Sequence, residues 1–309
     1  MIEQFKNLWI EKYRPKVLTS IALSDDNRQI VEKFYNDKEI PNLLFIGNAG
    51  IGKTSLAKIL VNDALQCQYL YINASDENGI DTIRTKVTNF SRVKSIDGNI
   101  KVIILDEVDG LTLDAQRALR NTMEEYSQYT RFILTANYKH KVIPALQSRC
   151  QSLDLVPPMN EFVDRCYNVL QSENISADLK QVEKFARGFY PDLRKSINEL
   201  QKTCFSGELI IKDKTTNDSL IKALFELIKG DKVLKARKLV IQNEVTFNGD
   251  YGELLKELFN YVDEVNITKG KRKALLIISE YMYRMAFVMD PEINFYSCMI
   301  AVSNAFNAS

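Results

Sequence analysis

Gly47-Asn48-Ala49-Gly50-Ile51-Gly52-Lys53-Thr54 fits G-x-x-x-x-G-K-[S/T] at every fixed position. Glycines at this spacing let backbone N–H groups turn inward around a polyphosphate, and a helix opening behind them adds partial positive charge. Lys53 suits the β- and γ-phosphates of a nucleotide, and the Thr54 hydroxyl suits a magnesium ion. The nucleotide-contacting segment is therefore read as Gly47 to Ser55. A second acidic signal follows later in the chain, where Asp106 and Glu107 close the apolar run Val102-Ile103-Ile104-Leu105. The carboxyl ends of such strands are where open α/β sheets bind ligands. Asp106 suits the Mg²⁺ shell, directly or through water. Glu107 is spaced to polarise an attacking water, and Asp109 reads as a cap. An intact glutamate beside a phosphate loop predicts hydrolysis of a nucleoside triphosphate rather than passive binding.

These residues need a scaffold, and the first half of the chain supplies one. Short apolar runs at 42–46, 69–72, 102–105 and 132–135, with a last one at 152–155, read as strands. Helical periodicity falls between them at 52–66, 79–93 and 112–126. Alternation of this kind predicts a parallel sheet built from right-handed crossovers. Pro157-Pro158 ends the pattern. Residues 159–205 read as three short helices, 207–218 as a polar linker and 219–306 as about five helices. The expected class is α/β plus all-α, with boundaries at 1–158, 159–206 and 207–309.

Composition narrows the function. The 309 residues carry a net charge of +1, so a nucleic-acid surface has to be a local patch. No apolar run approaches the roughly 20 residues of a membrane span. The charged start, Met1 to Lys16, lacks the apolar core of a secretion signal. Five cysteines without a CxxC pair read as reduced thiols of a cytoplasmic or nuclear protein. The single histidine, His140, sits between Lys139 and Lys141 and reads as part of a basic loop.

The chain resembles AAA+ ATPases, and within them the sliding-clamp loaders. Trp9-Ile10-Glu11-Lys12-Tyr13-Arg14-Pro15 is similar to the opening of replication factor C small subunits. So are Asn73-Ala74-Ser75-Asp76-Glu77-Asn78-Gly79-Ile80-Asp81, Asp106-Glu107-Val108-Asp109, Ala115 to Glu124, Thr135-Ala136-Asn137 and Ser148-Arg149-Cys150. One departure, Tyr190-Pro191-Asp192-Leu193-Arg194, together with Ser95-Ile96-Asp97-Gly98, looks more like the clamp-loader large subunit of T-even-type phages.

The resemblance implies a P-loop sheet domain, a small helical lid over 159–206 and a helical collar over 207–309. It implies ATP and Mg²⁺ as ligands, with Tyr13, Arg14 and Pro15 near the adenine. Asn137 becomes a sensor beside the γ-phosphate, Arg194 a second sensor reaching from the lid, and Arg149 an arginine finger acting on the neighbouring subunit's ATP. Such fingers are worth about 10³–10⁵ in rate.

The implied partners are a ring-shaped sliding clamp, primer–template DNA and further loader subunits in a hetero-oligomer, expected to be pentameric. No membrane is involved, and the location is the cytoplasm (of a bacterial host for a phage) or a eukaryotic nucleus. Between 80 and 101, Arg84, Lys86, Arg92, Lys94 and Lys101 outnumber Asp81 and Asp97. Arg84, Lys86, Arg92 and Lys94 are the expected phosphate contacts to DNA, which position a duplex without reading its sequence. The helix at 112–126 is expected to lie between ATP and DNA, with Gln116 either solvated or bridging subunits. Two other functions remain open at this point: a DNA-remodelling motor of the branch-migration helicase type, and a non-hydrolysing scaffold subunit.

Overall fold

The structure, a computed structural model, describes residues 8–93, 100–204, 209, 215–244, 247, 249–266 and 270–307. Lys94, the segment Ser95 to Gly98 and most of the expected linker lie outside the described residues. Contacts divide the chain into two compact units, Met1–Ile211 and Lys212–Ser309.

The first unit begins with Trp9–Lys12 (α1) and Asp25–Asp37 (α2), followed by Leu43–Ile46 (β1) and Lys53–Ile59 (α3). The chain continues past α3 as a wider π turn over Leu60–Leu65 and then forms Tyr69–Asn73 (β2). Ile80–Thr82 (α4) and Thr88–Arg92 (α5) form one rod, joined by a π turn over Ile83–Val87. Lys101–Asp106 (β3), Leu113–Glu125 (α6), Thr130–Ala136 (β4), Pro144–Gln147 (α7) and Gln151–Asp154 (β5) complete the α/β part. The sheet is parallel throughout, in the order β2-β3-β4-β1-β5.

Side chains on a strand alternate between faces, and here both faces are buried. Leu43, Phe45, Val102, Ile104 and Ile133 meet Val31 and Phe34 of α2 and Leu56, Ala57 and Ile59 of α3. Leu44, Ile46, Ile103, Leu105, Phe132 and Leu134 meet Ile83, Val87, Ala115, Leu119 and Met123 on the opposite side. Continuous apolar strands are the signature of this two-sided burial. Register then brings three loops to one edge. Ile46 pairs with Ala136 and Asn73 with Asp106, so Gly47, Glu107 and Asn137 all leave the sheet at its carboxyl end.

Met159–Ser172 (α8), Leu179–Arg187 (α9) and Leu193–Thr203 (α10) share their own core, built on Phe162, Cys166, Leu170, Val182 and Leu200. Trp9 of α1 packs against it. The second unit holds Thr215–Lys229 (α11), Val233–Gln242 (α12), Tyr251–Glu264 (α13), Lys271–Arg284 (α14) and Pro291–Asn307 (α15). Its core is separate, with Leu224, Leu254, Leu258, Ile278, Phe295 and Val302 fully buried. The five cysteines are unpaired. Among the described residues no helix is long and apolar enough to cross a membrane.

Phe132 is fully buried between the sheet and α6. Phe132→Ala is expected to cost about 3–5 kcal/mol. Trp9, the only tryptophan, reports on this unit. Its fluorescence should show the loss as a lower denaturant midpoint, and an unchanged midpoint would deny the sheet this role.

Candidate nucleotide-binding site

The three loops at the carboxyl edge, the N-terminal segment and the start of α10 enclose a cavity of about 420 Å³. Its wall includes Ala49 to Ser55, Asp106, Glu107 and Asn137 from the sheet edge. Tyr13, Arg14 and Pro15 close one side, and Arg165, Leu193 and Arg194 contribute from the helices beyond residue 158. Gly47 and Asn48 do not line it; their carbonyls accept hydrogen bonds from Lys53 Nζ at 2.7 and 2.8 Å.

Helix α3 opens at Lys53 behind Gly52, whose φ of 99° lies in the left-handed region, and no side chain caps it. The first amides of α3 are therefore left for a ligand. Lys53 is 6% exposed and also donates to Asn137 Oδ1 at 2.8 Å. Burial lowers the pKa of its ammonium, while Asp106, Asp109 and Glu107 pull it upward.

Asp106 ends the fully buried β3. Thr54 Oγ1 donates to both its oxygens, at 2.9 Å to Oδ1 and 2.8 Å to Oδ2. Thr135 Oγ1 donates to Oδ1 at 2.5 Å and the Tyr71 hydroxyl to Oδ2 at 2.9 Å. Burial, then the charge of Asp106, push the Tyr71 phenol well above its usual range, so it remains a donor. Glu107 has a φ of 58°. A non-glycine residue there stores strain that its surroundings must hold, and such residues cluster at functional sites. Here Thr135 Oγ1 accepts from Glu107 N–H at 2.9 Å, and Ser75 Oγ donates to Glu107 Oε2 at 2.5 Å. Glu107 Oε1 has no protein donor among the described residues. Asp109 accepts the amides of Asn137 and Tyr138 at 3.2 and 3.1 Å and so holds the loop after β4.

Hard oxygen donors from one carboxylate and one hydroxyl fit Mg²⁺, which is typically held by one or two carboxylates together with substrate phosphates. Among the described residues no cluster of three or more His, Cys, Asp or Glu could hold a metal by itself. Tyr71, Ser75 and Thr135 escaped the sequence reading as site residues. Ser75 and Thr135 stand inside segments singled out there, but their contacts depend on strand register.

Arg149 is not in the cavity wall. It donates to Ala145 O at 2.8 Å and pairs with Glu124 of α6. Gln116 is neither solvated nor free to bridge chains, being 1% exposed. It donates to Leu111 O and Lys141 O at 3.3 and 3.0 Å and accepts from Ile143 N–H at 2.9 Å, tying α6 to the loop before α7.

The described cations of the basic stretch differ in their surroundings. Arg84 is exposed and faces Arg117 and Asn121 of α6 across a shallow hollow. Lys86 pairs with Glu77 at 2.7 Å, and Arg92 donates to the Tyr126 hydroxyl at 3.3 Å. Lys101 is buried, with its ammonium on Phe90 O and 4.1 Å above the Phe90 ring, so it leaves the patch.

Residues 43–158 match the AAA family, the ATPase family associated with various cellular activities. The replication factor C small subunit of Methanococcus maripaludis is 36% identical over 87% of this chain and 89% of its own. That of Sulfurisphaera tokodaii is 37% identical over 93% and 92%. Among solved structures, a Thermotoga maritima RuvB variant superposes with a TM-score of 0.55 at 16% identity, over 91% of this chain and 90% of that one. This last likeness is one of fold.

Gly50, with φ 79°, has no room for a Cβ: one would fall 1.9 Å from Asp192 Oδ1. Asp192 is not free to move, because it caps α10 by accepting from Lys195 N–H at 2.9 Å. Gly50→Ala is therefore expected to weaken nucleotide binding at least about tenfold, or 1.4 kcal/mol, since left-handed φ alone costs an L-residue about 1–2 kcal/mol. A fluorescent-nucleotide titration checks this, and wild-type affinity would contradict it.

Proposed function

Given that the chain belongs to the replication factor C small-subunit family of AAA ATPases, we propose that it is an ATP-hydrolysing subunit of a sliding-clamp loader. In this reading it opens a ring-shaped clamp and leaves it on primer–template DNA. The observation that carries the mechanism is an asymmetry. Lys53, Thr54, Asp106, Glu107, Asn137 and Arg194 share one cavity, while Arg149 lies outside its wall.

The chain's own groups divide the work. Amides of the loop from Ala49 to Ser55 and the Lys53 ammonium hold the triphosphate, the Gly47 amide being bonded to Ala136 O at 3.2 Å. Thr54 and Asp106 would hold Mg²⁺, which when bound neutralises charge on the phosphate oxygens. Glu107, with Oε2 fixed by Ser75, orients the attacking water through Oε1 and receives its proton. Asn137 sits beside Lys53 and completes the γ-phosphate contacts. Arg194, next to the phosphate loop, registers the nucleotide from the lid. Tyr13, Arg14 and Pro15 contact the adenine. Arg149 then acts on the neighbouring subunit's ATP, where a guanidinium suits the spread charge of phosphoryl transfer.

DNA binding is assigned to Arg84, Lys86, Arg92 and Lys94, with Arg84 first because it is exposed and makes no ion pair among the described residues. Helix α6 stands between the two surfaces, carrying Asn121 toward Arg84 and Glu124 toward Arg149. The helices of 207–309 serve as the collar of a hetero-oligomer, proposed to be a pentamer. Tyr190-Pro191-Asp192 supports the phage-type variant of this reading.

The assembled loader is expected to hydrolyse ATP faster when clamp and primed DNA are both present, and the isolated chain to turn over slowly. Arg84→Ala should remove most of the DNA-dependent increment and flatten its salt dependence by about one phosphate contact, leaving the basal rate. An ATPase assay across a salt series decides this; full stimulation in Arg84→Ala would remove that residue from the DNA surface.

A further inference from the structure

Asp106 receives four hydrogen bonds from three hydroxyls, and two of those hydroxyls have evident places. Thr54 belongs to the phosphate loop, and Thr135 also fixes the strained Glu107 by accepting its amide. The third comes from Tyr71 on β2, a strand that lends no residue to the phosphate loop or the acidic strand end. Tyr71 pairs in register with Ile104, two residues before Asp106, so its hydroxyl reaches along the sheet face to Oδ2 at 2.9 Å. The ring is held in that direction from above: the Lys58 ammonium of α3 lies 4.5 Å from its centroid. Both Tyr71 and Lys58 line the nucleotide cavity.

We propose that Tyr71 is a positioning residue for the Mg²⁺ site, acting through Asp106. This rests on the nucleotide-site reading above. Oδ1 is fixed from β4 by Thr135, and the Thr54 hydroxyl straddles both oxygens. Among the described residues only Tyr71 defines Oδ2 from the other side, so it sets the rotation of the carboxylate about its last bond. Partners that orient a ligating carboxylate typically matter 10–100-fold in metal affinity. Tyr69 provides an internal comparison. It lies on the same strand and the same face, with the same 38% exposure, and makes no bond to Asp106.

The test is a titration of the full chain with fluorescent ADP, with and without Mg²⁺, on wild type, Tyr71→Phe and Tyr69→Phe. The Mg²⁺ concentration for half-maximal tightening is expected to rise about tenfold in Tyr71→Phe. Affinity for ADP without Mg²⁺ should stay at the wild-type value, and Tyr69→Phe should match wild type throughout. In an Asp106→Asn background, Tyr71→Phe should add nothing.

An unchanged Mg²⁺ requirement overturns the inference. So does an equal loss with and without Mg²⁺, which is what a merely structural role or a damaged fold produces, and so does an additive effect on Asp106→Asn. A wild-type chain that binds no ADP would instead overturn the nucleotide-site reading, and this inference with it; wild-type ADP binding that ignores Mg²⁺ overturns the inference alone.

Discussion

A carboxylate at the end of a fully buried strand is costly unless donors surround it. Asp106 is that carboxylate, and its donors come from three different elements: Thr54 from α3, Tyr71 from β2 and Thr135 from β4. Satisfying one charge therefore fixes the phosphate loop, β2 and β4 relative to one another. The apolar faces supply the bulk of the stabilisation, since each fully buried large side chain contributes about 1.5–3 kcal/mol. They do not by themselves say where a hydroxyl must point. The Asp106 network does, and the rest of the site follows from it. Thr135 carries the constraint to the Glu107 amide, Ser75 to the Glu107 carboxylate, and Asp109 to the loop holding Asn137.

A second constraint operates at the start of α10. Gly50 and Asp192 approach so closely that a phosphate loop with any other residue at 50 would push the start of α10 away. Arg194 lies in the first turn of that helix and lines the cavity. The N-terminal segment is tied to the same body, because the Tyr13 hydroxyl and the Lys12 ammonium both donate to Glu173, at 2.7 and 2.8 Å. The residues assigned to adenine directly follow α1 and Arg194 stands on α10, and these two helices pack into one small core with α8 and α9.

Motifs that are contiguous in sequence are legible there: the phosphate loop, the acidic strand end and the alternation of strands with helices. They are legible because their physics is local, a run of turning amides or a strand covered on both faces. What escaped depends on register between distant strands. Nothing near Tyr71 in sequence indicates that its hydroxyl meets Asp106; only the pairing of Asn73 with Asp106 does. Two side chains misled by type. Lys101 reads as a surface cation, yet at the head of β3 its stem is buried and its ammonium ends on Phe90. Gln116 reads as a solvated helix position, yet it spends its amide on Leu111, Lys141 and Ile143. Polar residues with satisfied partners hide inside cores, and composition cannot reveal the partner.

The central claim is that hydrolysis needs two chains, one supplying Glu107 and its cavity and the other Arg149. The most direct measurement is ATPase turnover of assemblies in which Glu107→Gln and Arg149→Ala chains are prepared apart and then mixed. Each variant alone should fall by about 10³-fold or more. The mixture should recover a substantial fraction of wild-type turnover, because an intact Glu107 then meets an intact Arg149 across an interface. No recovery on mixing, or full turnover by the Arg149→Ala protein alone, would contradict the account.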